Sequence, residues 1–389
     1  MPTDVSRREW FWVTAVAAAI VAASAAPFAA GYLAQTEEWV FTGMLPTVRP
    51  DNYTYLAKMW QGYWGSWQYQ VPFTTEPHQG AYLVTFYLAL GHLARWSGLN
   101  FLFLFHAARV VFGLIMLLLI YRFVALFTPA AHTRRLAFLL ATTASGLGWL
   151  TESIAPTRPG AISPMDFWLL DGYIYLSLLA VPHFCAAISL LLVIFIGLLR
   201  RPDGPTAVDG GLAILAGLGL ALIHPYMLLV ADLLPLLYVG VEMAHARTQR
   251  AQRGAGEWRI IWVVLLMGLT QTPVVLYQLW VYRQPVFAEW AAQNLTLSPP
   301  PMIFLAGYGA LLALAAIGLV RPDRFLKTGP VWRPRLSFAW LWLLLVAVLI
   351  YSPTHLQRRF LEGVQIPLGL LAGVGLSVIR GRDGPAGRL

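Results

Sequence analysis

The sequence predicts an all-α polytopic membrane protein, with about ten transmembrane helices and one further helix lying on the outer surface. Of its 389 residues, 58% are hydrophobic and 12% are charged, whereas a soluble domain carries about 25% charged residues. Apolar segments of about 20 residues, long enough to cross a bilayer, follow one another with short loops between them. No polar stretch is long enough for a separate soluble domain, so residues 1–389 form a single membrane domain.

The basic residues indicate which ends of these segments face the cytoplasm. The formal charge is +9, but the Lys and Arg residues cluster in the loops between apolar segments, as the positive-inside rule predicts. This distribution argues against a nucleic-acid partner. Arg7 and Arg8 precede the first apolar run, which is longer than a signal-peptide core and is therefore interpreted as a retained first helix. Both termini are then cytoplasmic.

Ten segments are predicted to cross the membrane in alternating directions. They are residues 10–33, 100–126, 136–150, 183–199, 210–223, 226–243, 258–281, 302–319, 338–351 and 361–379. Residues 80–96 are apolar but short, and counting them as a span would move nearly every later basic cluster outside. They are therefore predicted to lie on, or dip into, the outer surface. Residues 10–126 form an N-terminal module whose outer loop covers 35–79, and 127–389 supply the remaining helices.

This topology gathers ionisable residues on the outer side, where they would mark a functional site because unpaired charges near a membrane are costly. They are Asp51, Glu76, His78, Glu152, Asp166, Asp171, His183, His224, His355, Arg358 and Arg359. Arg109 is a further candidate, since it lies well inside a predicted span and requires an anionic partner. The single Cys185 excludes an internal disulfide and a cysteine-based metal motif.

Several of these residues also have a purely structural interpretation. Asp51 could cap the helix that follows it, because Asp is favoured at that position. His183 and His224 could each satisfy a helix-end carbonyl. Arg358 and Arg359 could be interfacial anchors, but on the outer side they break the positive-inside pattern, which favours anion binding.

Taken together, an outer carboxylate, histidines and arginines suit a particular kind of substrate. Arginines bind phosphate oxygens in a bidentate manner, and a carboxylate can deprotonate a hydroxyl or hold a divalent metal. The set therefore favours a lipid carrying a phosphate or pyrophosphate, together with an acceptor that must lose a proton.

The order of these features resembles the GT-C superfamily of integral-membrane glycosyltransferases, in particular the aminoarabinose and protein mannosyl transferases. The resemblance covers about residues 10–125 and rests on Asp51-Asn52-Tyr53-Thr54-Tyr55, Glu76-Pro77-His78, residues 80–95 and Arg109. Gln357-Arg358-Arg359-Phe360 is similar to the basic segment near the lipid phosphate in those enzymes. Two departures stand out: Asn52 replaces the usual second acid, and the double proline is absent.

The resemblance implies transfer of a sugar, with inversion, from a polyprenyl-phosphate donor to an acceptor on the outer face of the cell membrane. Asp51 would be the base or a metal contact, and Arg109, Arg358 and Arg359 would hold the phosphate. The other predicted substrate-binding residues are Tyr53, Glu76, His78 and His355. Mg²⁺ or Mn²⁺ is a candidate cofactor, with Asp51, His183 and His224 as candidate ligands. The predicted partners are the lipid-linked donor and membrane lipids.

Two other functions stay open at this stage. A transporter or flippase for a lipid-linked or anionic substrate would use the same charges, but its usual signature is an internal repeat with paired broken helices. No convincing repeat is visible in the sequence. The other possibility is a non-catalytic membrane protein of the same architecture. In that case replacement of Asp51 would leave its cellular function intact.

Overall fold

A computed structural model describes residues 5–45, 49–154, 157, 162–248, 255–320 and 332–380. The described chain is 75% helical and contains no β-strand. Six of its helices are long and apolar enough to cross a membrane, and three shorter apolar helices accompany them. The prediction of an all-helical chain is therefore confirmed, and these six helices are consistent with a membrane protein.

Fifteen α-helices occur in the described residues. They are α1 Arg7–Leu33, α2 Arg49–Tyr63, α3 Thr85–Ser97, α4 Phe101–Val124, α5 Ala131–Thr143, α6 Gly148–Ile154, α7 Ile174–Ala180, α8 Pro182–Leu199, α9 Ala207–Ile223, α10 Leu228–Thr248, α11 Ala255–Val281, α12 Pro285–Gln293, α13 Pro301–Val320, α14 Trp332–Leu349 and α15 Gln365–Arg380. Short 3₁₀ turns cover Met165–Phe167, Leu170–Gly172, Pro225–Met227 and Gln357–Leu361.

Helix ends gather at two opposite sides of the bundle. At one side, Glu9 at the start of α1 pairs with Arg134 of α5 at 3.1 Å and accepts a hydrogen bond from the Tyr121 hydroxyl near the end of α4. We call this side the Glu9 end. At the other side, the start of α8 meets the turn between α9 and α10, where the rings of His183 and His224 lie 5.1 Å apart. We call it the His183 end.

A buried aromatic cluster joins α4, α8 and α14 in the half of the bundle nearer the Glu9 end. The Phe195 ring of α8 lies 5.0 Å from both Phe338 and Trp342 of α14, and Phe123 of α4 lies 5.9 Å from Trp342. All four side chains are fully buried. Rings in such edge-to-face contacts interlock in few arrangements, so this cluster holds α4, α8 and α14 in register.

The segment predicted to span at 136–150 is shorter in the structure. Helix α5 ends at Thr143, and a new helix, α6, begins only at Gly148. At the break a Cβ on Gly146 would lie 2.7 Å from the Gly307 Cα, and one on Gly148 would lie 2.1 Å from an Asp166 oxygen. The chain passes so close to its neighbours there that a side chain at either position would clash.

Helices α2 and α3 pack closely through two glycines. A Cβ on Gly62 would lie 2.1 Å from the Leu88 carbonyl oxygen, and one on Gly91 would lie 2.0 Å from the Met59 carbonyl oxygen. The two backbones are therefore in direct contact. Helix α3 has 13 residues, so it is about 20 Å long.

Gly91→Ala is expected to destabilise the protein by about 1–3 kcal/mol, the usual cost of overpacking, because the added methyl must push α3 away from α2. Gly240→Ala is the matched control, since no atom lies within 4 Å of a Cβ built there. The thermal midpoint of the detergent-solubilised protein measures both. Equal midpoints for the two variants would contradict this view of the α2–α3 contact.

Candidate functional site

The candidate site lies at the His183 end, against one face of α2. Asp51, Tyr55 and Lys58 occur at intervals of four and three residues, which places them on the same side of that helix. Burial raises the pKa of Tyr55, and the charge of Asp51 raises it further. The Tyr55 ring lies 5.3 Å from the His183 ring, so this face of α2 is turned toward the rest of the site.

Two arginines converge on one buried carboxylate. Arg359 Nη1 donates to Asp171 Oδ1 at 2.9 Å, and Arg358 Nε lies 3.6 Å from Asp171 Oδ2. The Arg359 guanidinium lies 5.7 Å from the centre of the Phe184 ring, and Arg358 lies 5.3 Å from that of Trp168. Both arginines stay partly exposed, at 22% and 28%, so they can reach a ligand while Asp171 holds them in place.

A second polar group is built from Tyr226, His224 and Glu362. His224 Nδ1 lies 2.9 Å from Glu362 Oε2, and its Nε2 is hydrogen-bonded to the Tyr226 hydroxyl. Glu362 is fully buried and His224 is 3% exposed. Burial raises the pKa of Glu362 well above its usual value, and the nearby Asp171 raises it further. Burial also lowers the pKa of His224, so both shifts favour the neutral forms.

His183 connects the site to α2 and α3. Its Nδ1 is hydrogen-bonded to the Tyr87 hydroxyl at 2.6 Å. Tyr87 stacks on Tyr55 with their ring centres 4.5 Å apart, and Tyr55 also lies 5.3 Å from the His183 ring. His224 packs against the other side of His183. A continuous aromatic wall therefore runs from α2 to the turn after α9.

Asp51 stands at the rim of the site. Its side chain is exposed, and it forms no ion pair with another described residue. The helix begins at Arg49, so Asp51 lies within the first turn and is not the cap considered above. A carboxylate in the first turn is stabilised by the helix dipole, yet it remains available to a substrate.

The Glu76–His78 turn does not join this group. His78 Nε2 accepts a hydrogen bond from the Val71 backbone N–H, and Nδ1 donates to the Glu76 carbonyl oxygen. The His78 ring packs against Phe287. Both ring nitrogens are thus used to fold the turn, and the Glu76 side chain is exposed.

Tyr53 and His355 also lie apart from the converging side chains. Tyr53 is 60% exposed on α2, whereas Lys58 of the same helix is buried. The His355 side chain is exposed, and its carbonyl oxygen accepts hydrogen bonds from the backbone and hydroxyl of Thr296. His355 therefore fastens the loop before Arg358.

Arg109 is buried among neutral partners. Its Nη1 donates to Ser24 Oγ at 2.9 Å and to the Leu178 carbonyl oxygen at 3.1 Å. The guanidinium lies 4.6 Å from the centre of the Phe28 ring. In the part of the chain that the structure covers, no carboxylate pairs with it, so the partners of Arg109 are a serine, a carbonyl and a ring that tie α4 to α1 and α7.

The predicted metal ligands do not fit a metal site. Both ring nitrogens of His224 are engaged, one by Glu362 and one by Tyr226. Within the described ranges, no group of three or more His, Cys, Asp or Glu residues is arranged to hold a metal ion. No catalytic step is therefore derived through a metal.

Three residues of this site were missed by the sequence analysis: Lys58, Tyr226 and Glu362. Each had a weak signal in its spacing. Lys58 lies seven residues after Asp51 on the same helix face, Tyr226 follows His224 by two residues, and Glu362 follows Arg359 by three.

Comparison of the chain with protein-family models, with curated proteins and with solved structures gave no match.

Proposed function

We propose that this protein is a GT-C-like membrane glycosyltransferase that transfers a sugar from a polyprenyl-phosphate donor to an acceptor on the extracytoplasmic face of the cell membrane. The observation that carries the proposal is the meeting of Asp51's helix face, His183, His224 and the arginine pair at one end of the helix bundle. These residues come from four separate parts of the sequence.

The proposed orientation has ten spans: α1, α4, α5, α8 to α11 and α13 to α15. The Glu9 end then faces the cytoplasm, because its basic residues form the larger cluster and the positive-inside rule assigns such clusters to that side. Arg134 pairs with Glu9 there, and Arg200 and Arg201 pair with Asp209 at 3.0 and 3.4 Å. The His183 end faces outward, where a lipid-linked sugar and an external acceptor would meet.

The proposed reaction is a single displacement. The acceptor hydroxyl transfers its proton to Asp51 as its oxygen forms a bond to the anomeric carbon of the sugar. The bond between that carbon and the phosphate oxygen breaks, and the lipid phosphate leaves with the electron pair. Arg358 and Arg359 stabilise the negative charge that develops on this phosphate. Attack opposite to the leaving group inverts the anomeric configuration.

Asp171 has a positioning role in this scheme. It is 4% exposed and holds Arg359 through a 2.9 Å hydrogen bond. Because a fixed guanidinium loses little freedom when it binds a ligand, the two arginines are pre-arranged for the phosphate. Their partial exposure leaves donor groups free for its oxygens.

The test is a transfer assay with purified protein in liposomes, using a panel of polyprenyl-phosphate-linked hexoses. Asp51→Asn is expected to fold normally and to lower turnover by about 10²- to 10⁴-fold, the usual contribution of a general base. Asp203→Asn is the control, because Asp203 is an exposed carboxylate beside α9 at the Glu9 end.

Wild-type turnover by Asp51→Asn would remove Asp51 from the mechanism. If the wild type transferred no sugar but moved the labelled lipid between the two leaflets, the protein would be a flippase instead. Both outcomes can be read from the same liposomes by separating product from donor and by quenching the label on the outer leaflet.

A further inference from the structure

Lysine is rare in this protein, and one of its two lysines lies in the candidate site. The chain has 27 basic residues, of which only Lys58 and Lys327 are lysines. Lys327 is outside the described residues. Arginine and lysine are not interchangeable, because the ammonium is a compact point charge that titrates readily when it is buried.

Lys58 is a buried cation surrounded by aromatic rings. Its side chain is 6% exposed. The ammonium lies 5.2 Å from the ring centre of Tyr55, 5.6 Å from that of Tyr69 and 5.8 Å from that of Trp290. Tyr55 also belongs to the aromatic wall, so the cage and His183 share this ring.

Arg109, Arg358 and Arg359 all have polar partners, whereas Lys58 has none among the residues that the structure describes. Arg358 and Arg359 share Asp171, and Arg109 donates to Ser24 and Leu178. Aromatic faces attract an ammonium but accept no strong hydrogen bond from it, so the cage supplies no strong acceptor for its three N–H donors. A buried charge of this kind is costly unless a ligand pairs with it.

We propose that Lys58 binds a phosphate group of a substrate, with its ammonium as the counter-charge and hydrogen-bond donor. A phosphate supplies the oxygens that the aromatic cage lacks, and lysine is a regular point-charge partner for phosphate. The rings exclude water from the contact, which strengthens the attraction. The choice of a lipid-linked phosphate as the natural ligand rests on the proposed function, whereas phosphate binding itself does not.

The charged groups near Lys58 leave its ammonium without a full counter-charge. Burial lowers its pKa to about 8, Asp51 on the same helix raises it in part, and Arg359 of the 357–361 turn lowers it further. The other groups around the ammonium are two phenols and an indole. A bound phosphate dianion would raise the pKa again, because it stabilises the charged form.

Acetylation of lysine tests the proposal in the full-length protein. The Lys327→Arg variant in detergent has Lys58 as its sole lysine, and the N-terminal amine serves as an internal reference. Its reaction with an N-hydroxysuccinimide acetate is followed by peptide mass spectrometry. Inorganic phosphate, and separately a short prenyl monophosphate, is expected to slow Lys58 acetylation at least fivefold, while chloride at equal ionic strength leaves it unchanged.

If the prenyl phosphate protects Lys58 at lower concentrations than inorganic phosphate does, the lipid donor is the source of the phosphate. Equal protection by inorganic phosphate would identify a free phosphate or a phosphorylated acceptor. An unchanged rate with both reagents would overturn the proposal, as would a Lys58 that fails to react in the absence of phosphate. This test needs no substitution at Lys58, so it does not depend on how such a variant folds.

The transfer assay separates this inference from the proposed function. Phosphate protection of Lys58 in a protein that transfers no sugar would refute the glycosyltransferase and keep the phosphate site. Sugar transfer without protection would refute the role of Lys58 alone. Where phosphate protects Lys58, Lys58→Met should weaken phosphate binding at least tenfold, and Lys58→Arg should lose less because the charge is retained.

Discussion

Arg359→Ala is expected to abolish sugar transfer and to lower the free energy of unfolding by about 3 kcal/mol, the cost of breaking a largely buried ion pair. The stability effect arises at Asp171, which is 4% exposed. Without Arg359, the charged partner that remains for Asp171 is Arg358, whose Nε lies 3.6 Å from Asp171 Oδ2. That distance is too long for a hydrogen bond. The stacking of the guanidinium on Phe184 disappears as well.

The loss of transfer has a separate cause. Arg359 is the better fixed of the two arginines, and it is expected to bind the leaving phosphate through its second edge. Arg359→Lys keeps the positive charge but lacks the planar fork. It is therefore expected to recover most of the stability and only a small part of the turnover. This split between stability and turnover distinguishes a ligand-binding arginine from a purely structural one.

Arg380→Ala is the control, because Arg380 is an exposed residue at the other end of α15. Stability is measured as the thermal midpoint in detergent, and donor binding is measured with the same protein by titration with a prenyl phosphate. Full donor affinity in Arg359→Ala would remove the arginine pair from the proposed phosphate site. An unchanged thermal midpoint in Arg359→Ala would show that the ion pair between Arg359 and Asp171 does not stabilise the protein.

The sequence was informative about which residues share an end of the bundle. When spans alternate in direction, the residues that lie just beyond every second helix end come to the same side. That reasoning correctly brought His183 and His224 to the same end as Arg358 and Arg359. It needed only hydropathy and charge, because the hydrophobic effect and the positive-inside rule act on each segment separately.

Contacts within that end could not be predicted in the same way. His78, Tyr53 and His355 were expected beside the other site residues, yet each is held in its own loop or faces outward. Their lateral position depends on how helices pack side by side, and a one-dimensional pattern does not contain that information. Glu362 was missed for a related reason, since its pairing with His224 depends on the fold of the 357–361 turn.

Glu362→Gln is expected to remove a pH dependence of stability that the wild type shows between about pH 6.5 and 8. The pKa of Glu362 is raised well above its ordinary value of 4.5 by burial, so the folded state keeps a proton that the unfolded state releases. Stability must then fall as pH rises above 4.5, until Glu362 ionises in the folded protein. The slope approaches about 1.4 kcal/mol per pH unit.

The chosen window separates the titration of Glu362 from that of His224. His224, whose pKa is lowered by burial, opposes this slope only below its ordinary value of 6.5. Lys58, whose pKa is lowered to about 8, adds a slope of the same opposing sign in the upper part of the window, because the folded state loses a proton that the unfolded state keeps. The side-chain amide introduced by Glu362→Gln can donate to His224 Nδ1 as the protonated carboxyl does, so the fold should be preserved.

Thermal midpoints of the wild type and of Glu362→Gln at several pH values in this window measure the effect, with Glu289→Gln on the exposed side of α12 as the control. Subtracting the two curves removes every titration they share. The stability advantage of Glu362→Gln should grow with pH, at a slope of at most about 1.4 kcal/mol per pH unit. Parallel curves would show that Glu362 is ionised in the folded protein, and His224 would then carry its proton as the charged partner of that carboxylate.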